Sequence, residues 1–253
     1  MERRLRNQSG FTFIEMMVAM VIASFVFAGI YGVYNIQQRS YTVQEQVSEM
    51  QQRLRAAVQF MVGEMRMAGY DPPNDYPDPN AYDPDGACDD AGIKTMQSDE
   101  LAFQFCRVTA SNGDPPVYTA QMIETRYLHV TDETDEAYET LKVQHDAGKI
   151  TLAEGIEAIE FLYLDADGAI VTNTTDIRQV KISILARSTY PDRKHTDTTL
   201  YQPASMLPPF NLAADPPWGA PPECADPDNP NEPCHYHRRL LITTVKLRNM
   251  GLE

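Results

Sequence analysis

Gly10-Phe11-Thr12-Phe13-Ile14-Glu15 decides how this chain is read: a small residue, then an apolar run with one acid near its start. Nine residues precede it, Arg3, Arg4 and Arg6 among them. From Phe11 to Tyr34, twenty-four residues, the sole formal charge is Glu15. As a helix rising ~1.5 Å per residue this stretch reaches roughly 36 Å, enough to cross a hydrocarbon core of about 30 Å. The arginines lie before the run, and the far flank opens with neutral Gln37 and Gln38. The positive-inside rule therefore expects residues 1–10 in the cytoplasm and the remainder outside.

A secretory signal has a shorter apolar core ending in a small-x-small cleavage site. Here the core is long and Tyr31-Gly32-Val33-Tyr34 closes it. The better candidate for cleavage is the Gly10–Phe11 bond, which would leave the apolar helix on the mature chain. Glu15 is the anomaly. A carboxylate inside a bilayer costs about 2.5–3.5 kcal/mol on insertion scales, which makes it a functional candidate. No cation in the same segment can neutralise it, so its partner is expected in another chain. The structural alternative is a snorkelling acid favoured by the helix dipole.

The helical pattern continues past the membrane. Val43, Val47, Met50, Leu54, Ala57 and Met61, with Val58 and Met65 beside them, recur at steps of three and four and mark one face. Gln44, Glu45, Glu49, Gln52, Arg53 and Arg55 occupy the other, with Glu49 and Arg53 at i,i+4. Gly69 and Pro72-Pro73 are stop signals. The expectation is one helix over 11–68, with 11–34 transmembrane and 35–68 an amphipathic spine, followed by a head domain over 69–253. Gly29 and Gly32 are weak points within the span, read as close helix contact or as a place of local unwinding.

Composition fits an extracytoplasmic head. The net charge is −15, and removal of residues 1–10, with three Arg and one Glu, takes it to −17. So acidic a body argues against nucleic-acid binding through phosphates. None of the 18 prolines precedes Pro72, and eleven fall in 191–233. Proline removes a ladder donor, so strands belong between the proline blocks. The candidates are Leu101–Val108, Met122–Val130, Thr140–His145, Gly155–Leu164, Gln179–Ser188 and Arg239–Arg248, with Phe161–Val171 as a hairpin turning at Asp165–Gly168. A long helix followed by a mostly antiparallel sheet is an α+β chain.

The four cysteines lie on the oxidising side of the membrane by this topology. Cys224 and Cys234 bracket a Pro/Asp/Asn-rich loop, and Cys88 and Cys106 would tie an acidic loop to a strand; this is one of three possible connectivities. Acids cluster between Asp71 and Asp90, and Asp83, Asp85 and Asp89 are the calcium candidates there. The EF-hand spacing fails, because Ala81 stands at the first ligand position and Gly92 where Glu belongs, so solvated turn residues are the favoured reading. Asp165-x-Asp167-Gly168 and Asp226-x-Asp228 read the same way. Cys234-His235-Tyr236-His237 could begin a zinc site, but a disulfided Cys234 beside surface histidines is simpler. No nucleophile elbow, phosphate loop or HExxH is present, and no enzymatic activity or cofactor is expected.

The basic leader, Gly10 and Phe11-Thr12-Phe13-Ile14-Glu15 together resemble the class III signal of type IV prepilins and type II secretion pseudopilins, with Phe13 where Leu is commoner. The resemblance implies cleavage after Gly10 by a prepilin peptidase and N-methylation of Phe11. It also implies a filament contact between Glu15 and the Phe11 ammonium of a neighbouring subunit. The implied fold is the pilin fold, in which disulfide stapling of distal loops recurs. Met61–Tyr70 and Arg238–Met250, with the strand Val180–Arg187, resemble the PilW family of minor pilins. That likeness implies a single-pass inner-membrane precursor that passes into a surface pilus. It would help to prime type IV pilus assembly with other minor pilins, the major pilin and the inner-membrane assembly platform, and to present a PilY-type tip adhesin for adhesion or motility. Glu15 would place it below the topmost subunit. The alternatives are a type II secretion minor pseudopilin of the J type and a singly anchored periplasmic binding or sensor module.

Overall fold

The computed structural model describes residues 11–71, 88, 91–112, 118–130, 140–145, 148–207, 218 and 233–250 of the 253. A single long helix, α1 (Phe13–Met65), leads the chain. Among the described residues eight strands follow: β1 (Ile93–Met96), β2 (Glu100–Ala110), β3 (Tyr118–Val130), β4 (Thr140–His145), β5 (Gly148–Glu154), β6 (Ile156–Leu164), β7 (Gln179–Arg187) and β8 (Arg238–Lys246). They form two antiparallel sheets rather than one, ordered β1-β2-β3-β4-β5 and β6-β7-β8. The chain divides into two compact units, Met1–Glu45 and Gln46–Glu253.

In the second unit the later part of α1 supplies one wall of the core. Met50, Leu54, Ala57, Met61, Met65 and Ala68 are buried, and Val47, Val58 and Val62 pack beside them. Against this stripe lie Leu101, Phe103, Tyr127, Leu141 and Val143 from the first sheet and Ile159, Phe161, Val180, Ile182 and Ile184 from the second. The exposed side of the helix carries the expected Glu49–Arg53 pair at 2.5 Å. Glu64 accepts a 2.7 Å hydrogen bond from the buried Tyr127 hydroxyl. Burial and the Glu64 carboxylate together push that phenol far above its ordinary pKa.

The helix stops a turn earlier than the pattern predicts, and the way it stops joins it to the sheet. Met67 and Ala68 donate to the carbonyls three residues back, a tighter turn than the α-helix. Gly69 then takes φ 71°, the left-handed conformation that ends helices with little penalty only in glycine. Its N–H passes to the Gln104 carbonyl of β2, and Tyr70 accepts from Cys106, so the chain leaves the helix alongside that strand. A Cβ at Gly69 would meet the Met250 sulfur at 2.7 Å, and Asn249 donates at 2.9 Å to the free Arg66 carbonyl.

The second sheet is covered on both faces. Val180, Ile182 and Ile184 face the core as their alternation predicts, yet Ser183 and Leu185 on the other face are also buried. The cover is the short helical turn Ala204–Met206. Ser183 accepts the Ala204 N–H at 2.9 Å, and Glu160 accepts bonds from Ser183 and from the Ser205 N–H and hydroxyl. Around Asp165–Gly168 the chain turns back, but only a single bridge, Leu164 to Ile170, follows; the expected hairpin has no second strand.

At the start of β8, the Arg238 side chain is 2% exposed and forks onto Glu157 of β6 at 2.6 and 2.8 Å, with Asp197 at 3.4 Å. Burial pushes the Asp197 carboxyl up. The Thr199 N–H and hydroxyl, the Tyr201 hydroxyl and Arg238 outweigh that and hold it below its usual range. Removing one partner of such a buried group leaves opposite charges uncompensated, which costs about 3–5 kcal/mol. Arg238→Met is therefore expected to lower the stability of the detergent-solubilised chain by about that amount. Chemical denaturation followed through Trp218, the single tryptophan, which bridges to Tyr201, checks it. A loss below about 1 kcal/mol would show that the fork is not needed.

Candidate processing and assembly site

The described part of the first unit is a helix whose apolar face is exposed among the described residues. Phe11, 93% exposed, and the large apolar residues from Phe13 to Ile36 are uncovered, and the helix is long and apolar enough to cross a membrane. A surface of that extent is stable in lipid or against other apolar helices, and not in water. Gly29 and Gly32 lie within unbroken helix, and nothing stands within 4 Å of the Cβ position at either. Backbones can approach closely there, and this geometry has no local unwinding.

The start of the helix is organised by two side chains. Thr12 is the N-cap: its carbonyl accepts the Met16 N–H at 3.2 Å, the first i to i−4 bond. Its hydroxyl oxygen accepts the Glu15 N–H at 3.3 Å. Glu15 reaches back, and one carboxylate oxygen accepts both the Thr12 N–H and the Thr12 hydroxyl, each at 2.9 Å. This reciprocal pairing of residues three apart is a capping box, which satisfies backbone donors that no helical carbonyl can reach.

The box adds a hydrogen-bonding partner to the expectation that a cation for Glu15 comes from another chain, an expectation that a single chain does not test. The hydrogen-bonding partner is in Glu15's own first turn. The signal of the box in the sequence is Thr12-x-x-Glu15, a capping-box spacing ahead of an apolar run. Its formal charge still has no cation between residues 11 and 38, the next charged residue being Arg39. Placed in the first turn, the carboxylate also sits at the positive end of the helix dipole. Phe11 stands just outside the helix, whereas Gly10, the expected cleavage residue, lies outside the described residues.

The other candidate sites divide. Cys88 and Cys106 are bonded, with Cα atoms 5.5 Å apart, and fasten the far side of the acidic loop to β2. Cys234 is disulfide-bonded; Cys224 lies outside the described residues, as do the calcium candidates Asp83, Asp85 and Asp89 and the Asp226-x-Asp228 pair. Asp71, Cys88 and Cys106 are the one group of such residues close enough to share a metal among those described, and the disulfide leaves no thiolate there. The disulfide at Cys234 likewise removes the thiolate a zinc site would use. His235 instead donates to the His195 carbonyl at 2.7 Å, while the His237 ring stacks on His195 at 3.9 Å and lies 3.6 Å from Asp192. Asp165 accepts the Asp167 and Ala169 N–H groups at 2.9 and 2.8 Å, closing a turn.

Residues 5–31 match the family model described as the prokaryotic N-terminal methylation motif. No curated protein matches the chain significantly in sequence. Among solved structures, a type IV-like pilin, TTHA1219 from Thermus thermophilus, is similar at 15% identity and a TM-score of 0.48, over 79% of this chain and 97% of that one. The chain thus carries a prokaryotic N-terminal methylation motif, the class III prepilin signal, at the head of an uncovered apolar helix.

Proposed function

We propose that this protein is a minor pilin that helps to initiate type IV pilus assembly. The observation that supports it most is the methylation motif at the head of a helix whose apolar surface is exposed among the described residues. Such a helix needs lipid before assembly and other apolar helices after it, and extraction from one into the other is what a filament subunit undergoes. The finer placement, in the PilW family and in a priming or tip complex with a PilY-type adhesin, rests on the likeness of Met61–Tyr70 and Arg238–Met250. The added Pro-rich stretches 71–90 and 190–239 make the chain larger than a major pilin usually is. Its partners on this reading are a prepilin peptidase, the other minor pilins, the major pilin and the assembly platform. A type II secretion pseudopilin of the J type would share the same processing. Deletion separates the two, abolishing surface pili in one case and protein export in the other.

In this proposal residues 1–10 face the cytoplasm and are removed, and the Phe11 ammonium of one subunit meets the Glu15 carboxylate of the next. Two charges that are each costly in an apolar setting then neutralise one another. The mature protein is expected to begin at Phe11 with one methyl group on its amine, as read by intact mass and N-terminal sequencing. A chain still starting at Met1 in cells with active peptidase would overturn the reading. Glu15→Ala and Glu15→Gln are each expected to lower recovery in sheared pili by about tenfold, the effect of losing roughly 1.4 kcal/mol of pairing at low local dielectric, with the head still folded. Unchanged recovery in both would exclude the intersubunit charge pair.

A further inference from the structure

We infer that Thr12 is a positioning residue for N-methylation, acting through Glu15 to hold the newly freed amine in one geometry. This inference rests on the processing reading above and adds a role for the capping box within it. The Thr12 N–H that Glu15 accepts belongs to the peptide unit joining Phe11 to Thr12. That unit is planar and includes the Phe11 Cα. Fixing its N–H to a side chain of the first helical turn therefore fixes the Phe11 Cα relative to the helix axis. The amine is bonded to that same Cα. Once residues 1–10 are gone, a single soft torsion, the ψ of Phe11, sets where the nitrogen lies. Without the box the Phe11–Thr12 peptide is free as well, and the amine samples a much larger volume.

The reaction it serves is a methyl transfer. The ammonium first gives one proton to solvent, and the lone pair of the neutral amine then attacks the methyl carbon of a sulfonium donor. The carbon–sulfur bond breaks as the carbon–nitrogen bond forms, leaving a secondary ammonium and a thioether, so atoms and charge balance. Displacement of this kind requires an in-line approach, and its rate is sensitive to how narrowly the nucleophile is held. The box holds it from below, through three hydrogen bonds shared by Thr12 and Glu15.

The chemistry of the box separates two roles of Glu15 that a single alanine substitution would merge. Glutamine can serve at the third helical position of a capping box, so Glu15→Gln keeps the cap and loses the charge. Thr12→Val removes the hydroxyl, and with it two of the three hydrogen bonds, while keeping the carboxylate. Thr12→Ser restores a good N-cap. Glu15→Ala removes both cap and charge.

The experiment follows the full-length chain in membranes containing the peptidase and S-adenosylmethionine, with intact mass reading cleavage and methylation separately at early times. The expected outcome is that Thr12→Val lowers the initial methylation rate of the cleaved chain by about fivefold, the fold-change equivalent to one lost cap. Thr12→Ser and Glu15→Gln are expected to stay near the wild-type rate, and Glu15→Ala to fall lowest. Hydrogen exchange at the Glu15 amide, faster in Thr12→Val than in Thr12→Ser, verifies that the cap was opened. A Thr12→Val rate equal to wild type with that amide deprotected overturns the inference, and so does an amide that stays protected, since the hydroxyl is then not what holds the cap. A Glu15→Gln rate as low as Glu15→Ala also overturns it, because charge and not position then governs the step. In either case cleaved, methylated wild-type protein leaves the processing reading standing. A wild-type chain that keeps residues 1–10 removes both.

Discussion

The burial of one helical stripe is the constraint on which the head depends. Met50, Leu54, Ala57, Met61, Met65 and Ala68 form a ridge that two separate sheets share, and without it each sheet would expose a broad apolar face. Antiparallel sheets are stable with one face covered, and the helix supplies that cover for both at once. The alternation of Val180, Ile182 and Ile184 and the large residues Leu101, Phe103 and Tyr127 are complementary to this ridge. The helix is therefore both the anchor of the chain and the centre of its core.

Electrostatics reinforce packing where distant segments meet. Arg238, Glu157 and Asp197 come from two strands and a connecting segment, and in the interior they compensate one another as no pair of them could alone. Glu160 does the same in uncharged company, gathering Ser183 and Ser205 so that the turn Ala204–Met206 closes the outer face of β6 and β7. These contacts let an acidic chain keep carboxylates within the fold, where an isolated one would be driven to protonate.

The helix was legible because its stripe repeats at steps of three and four for five turns and ends at Gly69, whose φ of 71° other residues avoid. Strands β2, β3, β4, β6, β7 and β8 were legible as apolar runs between proline blocks. β1 is four residues long with Ile93 alone buried, and β5 is an edge strand whose Gly148, Lys149, Ile150 and Thr151 are all exposed and whose Ala153 alone is buried, so neither carries an alternation long enough to read. The burial of Ser183 was hidden because its cover lies some twenty residues on, in a segment without periodicity. At the N-terminus the charge pattern was plain, and the Thr12–Glu15 pairing was equally plain in spacing. The charge pattern of an acid in an apolar run points to a cation, whereas the groups Glu15 meets within its own chain are a hydroxyl and an amide.

The end of α1 is finished by residues made much later. Arg66 and Asn249 are 183 positions apart, and Gly69 leaves the space that the Met250 side chain occupies. During synthesis the apolar helix thus emerges, and can enter the bilayer, long before anything exists to cover its lower stripe. Head formation is then a late, long-range event in which β8 and the residues after it arrive as the closing piece. A chain stopped short of residue 249 would hold every described strand yet leave the Arg66 carbonyl and the space beside Gly69 unfilled. The last contacts of the helix end are therefore made by the last described residues of the head.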